Sequence, residues 1–157
     1  MVSESLSFKF KPNLQKRILA TLLDYGIYFL VFYIYVNFLG HANDEGGKTV
    51  DGLLFLPLPI TWFCYFIIVE SIYGATLGYQ AFNLKVVAVN RKLISFRQTL
   101  KRHLLDPIDI FFYGIPAIIA IKNSEKHQRI GDMWANTIVI DLTDPEQYID
   151  HQESIVV

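Results

Sequence analysis

The chain has 157 residues, of which 52% are hydrophobic and 15% aromatic, while charged residues make up only 18% and the formal net charge is −1. The length suits one domain, but the apolar content is high for a water-soluble one, and there is no global basic character of the kind nucleic acid requires. A single cysteine, Cys64, excludes an intrachain disulfide framework and leaves almost nothing for a cysteine-based metal site.

The apolar residues are segregated into long runs. Residues 1–10 are polar and mixed. The run that follows, 18–39, is apolar or aromatic except for Thr21, Asp24 and Asn37, with one glycine at Gly26. About 20 helical residues cross a ~30 Å hydrocarbon core, so this segment is expected to span a bilayer. It is too long for the apolar core of a signal peptide and no small-residue cleavage site follows it. Residues 40–52 form a polar loop. A second apolar run, 53–72, has Pro57 and Pro59 in its first turns, where a missing N–H costs least, and Glu70 near its far end.

The pattern then changes. Gly74-Ala75-Thr76-Leu77-Gly78 reads as a turn. Leu84 to Val89 is β-branched and strand-like, and with Leu93-Ile94-Ser95 it predicts a hairpin. Asn136 to Ile140 is a third strand-like run. Residues 96–105 form a basic amphipathic stretch, whose Arg97, Lys101 and Arg102 are expected to face anionic lipid headgroups. A third apolar segment, 104–121, is interrupted by Asp106, Pro107, Asp109, Gly114 and Pro116. It either crosses the membrane or forms a broken, re-entrant or interfacial helix. The second picture is favoured, because pairing of the 136–140 strand with the 84–89 strand requires both on one side. The tail, 142–157, is acidic and is expected to be mobile.

The expected fold is therefore an all-α membrane protein: two full transmembrane helices, a third broken or spanning segment, and a small cytoplasmic β-element. The first domain is 1–141. Lysine and arginine accumulate on the cytoplasmic side. Lys9, Lys11, Lys16 and Arg17 precede the first run, six basic residues lie between 74 and 103, and the intervening loop has only Lys48. The N-terminus and the central basic stretch are expected inside.

Few residues offer chemistry. A carboxylate within an apolar span costs ~2.5–3.5 kcal/mol on insertion scales, so Asp24 needs a reason. It reads either as a cation or proton site or as part of a buried ion pair that orients two helices. Arg17 lies two turns before it on the same face, too far along the axis for a simple contact pair, so each is expected to have another partner. Glu70 can approach Asp24 at similar depth in an antiparallel pair, and two carboxylates sharing one site favour proton exchange. Taken alone, Glu70 is expected to reach interfacial water. Asp106 before Pro107 reads as a helix cap, and Asp109 is left between capping and lining a cavity. The four histidines are scattered, and no metal, cofactor or catalytic triad pattern stands out.

Three motifs in order resemble the RDD family, named for one arginine and two aspartates. They are Arg17-Ile-Leu-Ala20-Thr-Leu-Leu-Asp24; then Thr76-Leu77-Gly78 with Leu84-Lys85-Val86-Val87; then Arg129-Ile130-Gly131-Asp132 with Asn136-Thr137-Ile138-Val139. The resemblance covers roughly residues 12 to 141. It implies that Arg17, Asp24 and Asp132 are the name-giving positions. The family often carries a base after the central glycine, where this chain has Tyr79-Gln80. The resemblance also implies a multi-pass protein of the bacterial cytoplasmic membrane, with transport of an unidentified ligand suggested and sodium/proton antiport associated with some members. Two functions are expected from these readings: transport of a small solute or monovalent cation/proton exchange in a homo-oligomer, or a non-catalytic module that assembles or regulates a partner. An enzyme is not expected.

Overall fold

The computed structural model describes residues 8–147 except 45 and 111–113. Its first element, helix α1 (Leu14–Leu39), has 26 residues and buries only Arg17, Ala20 and Asp24. Large apolar side chains point outward instead, including Leu22, Phe29, Tyr33 and Phe38, the last 84% exposed. Inside-out burial of this kind, charges inward and apolar groups outward, suits a lipid solvent.

A short polar turn, β1 (His41–Ala42) paired with β2 (Lys48–Thr49), leads into helix α2 (Gly52–Tyr73). Both α1 and α2 are long and apolar enough to cross a membrane. Through Phe63–Val69 the second helix adopts the wider π geometry, a local rewinding that often marks functional positions. It stops at Gly74, whose φ of 71° is free of cost only for glycine and whose N–H bonds the Glu70 carbonyl at 2.7 Å.

The remainder packs against one end of this helix pair. Helix α3 (Leu77–Ala81) lies on α1 and feeds β3 (Leu84–Ala88). Helix α4 (Phe96–Leu104) begins with a capping box, in which Gln98 N–H reaches Ser95 Oγ and Ser95 N–H reaches Gln98 Oε1. Then come α5 (Asp106–Ile110), α6 (Ile115–Asn123), α7 (Ile130–Ala135) and β4 (Thr137–Asp141). Strands β3 and β4 are antiparallel, with Val86 opposite Val139. Ala20, Leu84, Val86 and Val139 form a core on one side of the strand pair, and Val87, Ile138 and Ile140 meet Phe8 and Phe10 on the other.

Two expectations change here. The hairpin from Leu84 to Ser95 is reduced to one bridge, Val87 to Leu93, on the edge of β3 away from β4, where the Val86 N–H is already taken by the Gly74 carbonyl at 2.7 Å. The tail read as mobile is held over residues 142–147. Lys11 pairs with Asp144 at 2.5 Å and Glu146 at 2.6 Å, and Lys16 pairs with Asp141. Gln147 is buried, donates to the Lys9 carbonyl and accepts from Asn13 and the Asp141 N–H. Residues 148–157 of that tail lie outside the described residues. The apolar segment 104–121 is divided between α5, with five residues, and α6, with nine. At 1.5 Å per residue neither covers a ~30 Å core.

Candidate buried ionic site

The three motifs converge on one buried cluster at the end of the helix pair. Its anchor is Asp132, fully buried in the first turn of α7. Arg17 Nη2 reaches Asp132 Oδ2 at 2.6 Å, and Arg17 Nη1 donates to the His127 carbonyl at 2.8 Å. Arg102 Nη1 bonds Asp132 Oδ1, and Arg129 Nε approaches the same oxygen at 3.4 Å. Asp132 also accepts the Arg129 N–H at 3.2 Å, closing the helix start. Burial opposes the charge on Asp132, but Arg102, Arg17 and Arg129 outweigh it and hold the carboxyl well below the usual carboxylate range.

Arg102 continues the network. Its Nε lies 3.0 Å from Glu70 Oε1 and its Nη2 3.4 Å from Glu70 Oε2, a two-pronged pair with both residues almost fully buried. Two expectations are corrected by this pair. Arg102 does not face lipid headgroups, because helix α4 turns it inward to meet two carboxylates. Glu70 does not reach interfacial water, because Arg102 and His103 of α4 close against its carboxylate. Of the other two residues assigned to headgroups, Arg97 is exposed, and Lys101 is half-buried with its ammonium over the Trp134 ring at 5.4 Å.

On the α5 side, Asp106 does not cap a helix. It accepts from His103 Nδ1 at 2.6 Å and from the Tyr25 hydroxyl at 3.3 Å, and it pairs with Arg129 Nη2 at 3.1 Å. Asp109 does the capping, though of α7 rather than its own helix. It accepts the N–H groups of Ile130 and Gly131, each at 3.0 Å. Gly131 is required there, since a Cβ would stand 2.6 Å from the Arg102 carbonyl oxygen.

Asp24 is bound differently. It accepts from the Tyr65 hydroxyl at 2.6 Å, the Thr76 hydroxyl at 2.5 Å and the Gly78 N–H at 2.7 Å. Among the described residues no basic side chain forms an ion pair with it. Thr76-Leu77-Gly78 is thus a cradle for this carboxylate. Gly78 permits the approach, because a Cβ there would lie 2.2 Å from the Ala20 carbonyl oxygen. The expectation that Arg17 and Asp24 have separate partners agrees with these contacts. Asp24 and Glu70 line one small cavity of about 20 Å³ together with Thr76, His103, Asp106 and Arg129, room for about one water-sized guest.

The cluster therefore sets three arginines against five carboxylates, Asp24, Glu70, Asp106, Asp109 and Asp132, with His103 among them. Sequence reasoning passed over His103 and Arg129, and it missed Tyr65 and Thr76 as partners of Asp24. The available signal was local: Arg102-His103 directly precedes an apolar segment that itself carries Asp106 and Asp109.

Two apolar helices long enough to span a bilayer, closed at one end by a buried ionic network, define an integral membrane protein. The chain belongs to the RDD family, whose family model matches residues 11–136. Neither the curated proteins nor the solved structures give a match to it.

Proposed function

We propose that this RDD protein moves protons against a monovalent cation across a bacterial cytoplasmic membrane, using the cluster around Asp24 and Glu70. The observation that carries the reading is the surplus of buried carboxylate. With every arginine and every carboxylate charged, the cluster is two negative charges out of balance, or one with His103 protonated. Uncompensated charge at such depth is costly, so a cation or proton that neutralises it binds with corresponding advantage. The carboxylate with hydroxyl and amide partners alone, Asp24, borders the cavity where such a guest fits. Arg17, grouped with Asp24 at the outset, supports the framework by holding Asp132 instead.

The topology in this proposal places the N-terminus, the β3–β4 pair and the held tail on the cytoplasmic side. The bonds from Lys9, Lys11 and Lys16 to residues 141–146 keep these two segments together, and the lysine and arginine distribution supports the cytoplasmic side. Segment 104–121 then enters without crossing. Two spans enclose little space, so alternating access requires a homo-oligomer within a bilayer containing anionic lipids.

The test is flux in proteoliposomes with a pH-sensitive dye inside and Na⁺, Li⁺ or K⁺ added outside. Cation-dependent proton release that Asp24→Asn abolishes supports the reading; wild-type rates in Asp24→Asn overturn it. A second reading, a module that docks a partner, has one observation in its favour. A groove of about 430 Å³ lined by Ile18, Leu22 and Phe29 of α1 and by Ala117, Ile118 and Ile121 of α6 lies open beside the cluster. Absence of flux from folded protein, together with stoichiometric co-purification of a partner from native membranes, favours that alternative.

A further inference from the structure

His103 is the buried titratable group that the reading above leaves without a role. It is 5% exposed and stands between two carboxylates from different elements. Its Nδ1 contacts Asp106 Oδ2 of α5 at 2.6 Å, and its Nε2 lies 3.3 Å from Glu70 Oε1 of α2. A neutral imidazole has one donor and one acceptor nitrogen. Here both nitrogens face oxygens that only accept, so the ring suits its environment fully as the imidazolium. The two contacts are unequal. The Nδ1 contact is a short hydrogen bond, whereas Nε2 is off the bonding line to Glu70 and makes no hydrogen bond among the described residues; nor does Asp106 Oδ1, although Arg129 pairs with it. Both residues line the cavity.

Glu70, from α2, is shared with Arg102 on the helix of His103 itself. Asp106 is shared with Arg129 of α7 and the Tyr25 hydroxyl of α1. Asp24 of α1 borders the same cavity. The rings of Phe66 and Trp62 stand 5.6 and 6.2 Å away and exclude water from the α2 side. Burial disfavours the charged ring, but Asp106 and Glu70 outweigh it and push the His103 pKa up to about 9.

We infer that His103 carries the exchanged proton on Nε2, and that a monovalent cation in the adjoining cavity competes with that proton for Glu70 and Asp106. The inference rests on the cation/proton reading above and assigns its proton site. The charges balance at each step. With the proton on Nε2 the cluster carries one net negative charge. When the proton leaves to the aqueous side, the net charge becomes two negative, and one monovalent cation restores it. Exchange is then one for one, and its two bound states have equal charge. The cavity admits a bare sodium ion and is too small for choline.

The first experiment reads the proton directly. Wild-type protein with ¹⁵N-labelled histidines is titrated in nanodiscs through neutral and alkaline pH at constant ionic strength, with sodium chloride exchanged for choline chloride. The His103 signal is assigned by its loss in His103→Gln. Sodium at ten times its dissociation constant lowers the Nε2 midpoint by about one pH unit, and choline leaves it in place. An identical midpoint in sodium, lithium, potassium and choline overturns the inference, as does a ring that is neutral throughout. The second experiment is flux. His103→Gln loses the proton coupling and the alkaline dependence of exchange. If the variant exchanges with an unchanged pH profile, the inference fails while transport stands. If wild type carries no cation but the sodium-dependent midpoint persists, the site stands and transport fails.

Discussion

Asp132 and Asp24, though both buried aspartates, differ in what their neutralisation does. Asp132 is held by three arginines, and Asp132→Asn takes from Arg17 its one carboxylate partner among the described residues, while Arg102 keeps Glu70 and Arg129 keeps Asp106. Breaking one side of a buried pair costs about 3–5 kcal/mol, and the variant should show a strongly lowered unfolding temperature in detergent or fail to accumulate. Asp24 is held by two hydroxyls and one N–H. Asn keeps its shape and one acceptor, and the hydroxyl facing the new amide can turn. The cost should be close to that of one hydrogen bond, about 1 kcal/mol. Asp24→Asn should therefore unfold within a few degrees of wild type while losing flux, a separation that a purely packing role does not produce. The pH dependence of stability has two limbs. His103 is raised, so its contribution is full below its unfolded value of about 6.5 and lost as pH rises through about 9. Asp132 is lowered, so its contribution is present above about 3.9 and lost only as pH falls toward its native value. Thermal unfolding followed by circular dichroism should show a decline from pH 7 to above pH 9 that is absent in His103→Gln.

Helices α1 and α2 meet through aromatic rings such as Tyr25 and Phe66, 4.9 Å apart, but two other helix contacts are made at glycines. Gly78 brings α3 against the Ala20 carbonyl of α1, and Gly131 brings α7 against the Arg102 carbonyl of α4. Neither obstructing atom is the end of a flexible side chain, so a methyl must push whole elements apart. Gly78→Ala and Gly131→Ala should each destabilise by about 1–3 kcal/mol, the range for overpacking. Gly26 gives the contrast: it is exposed on α1 with nothing within 4 Å of an added Cβ, and Gly26→Ala should be neutral or stabilise by up to about 1 kcal/mol. A ranking of the three variants by unfolding temperature checks the close-approach argument. Equal effects at all three positions would falsify it.

At the scale of the molecule, residues 9–16, residues 141–147 and the β3–β4 pair form one body, tied by Lys11, Lys16 and Gln147. In a Cys64→Ser background, Lys48→Cys in the loop between the spans should react with an impermeant thiol reagent added to intact cells. Glu146→Cys should react only after permeabilisation, although the Glu146 side chain is 42% exposed. Labelling of Glu146→Cys from outside would place the tail, and with it β4, across the membrane.

The amino-acid sequence by itself determined the two candidate spans, because about twenty predominantly apolar residues have few stable alternatives to a lipid-embedded helix, and the resemblance of its motifs to the RDD family marked Arg17, Asp24 and Asp132. It also showed that Arg17 and Asp24 share a face yet need separate partners, since helical spacing alone sets that distance. Only the tertiary structure decided what those partners are. Arg102 is the plainest case: on an isolated amphipathic helix it belongs to the basic face, and only the arrival of Glu70 from α2 and Asp132 from α7 makes the buried orientation favourable. His103 follows the same logic, because its two carboxylates come from positions 33 residues before it and three after it. Helix periodicity reports the faces of one element. The charge balance of a buried cluster depends on which elements close over it, and that is settled by long-range packing.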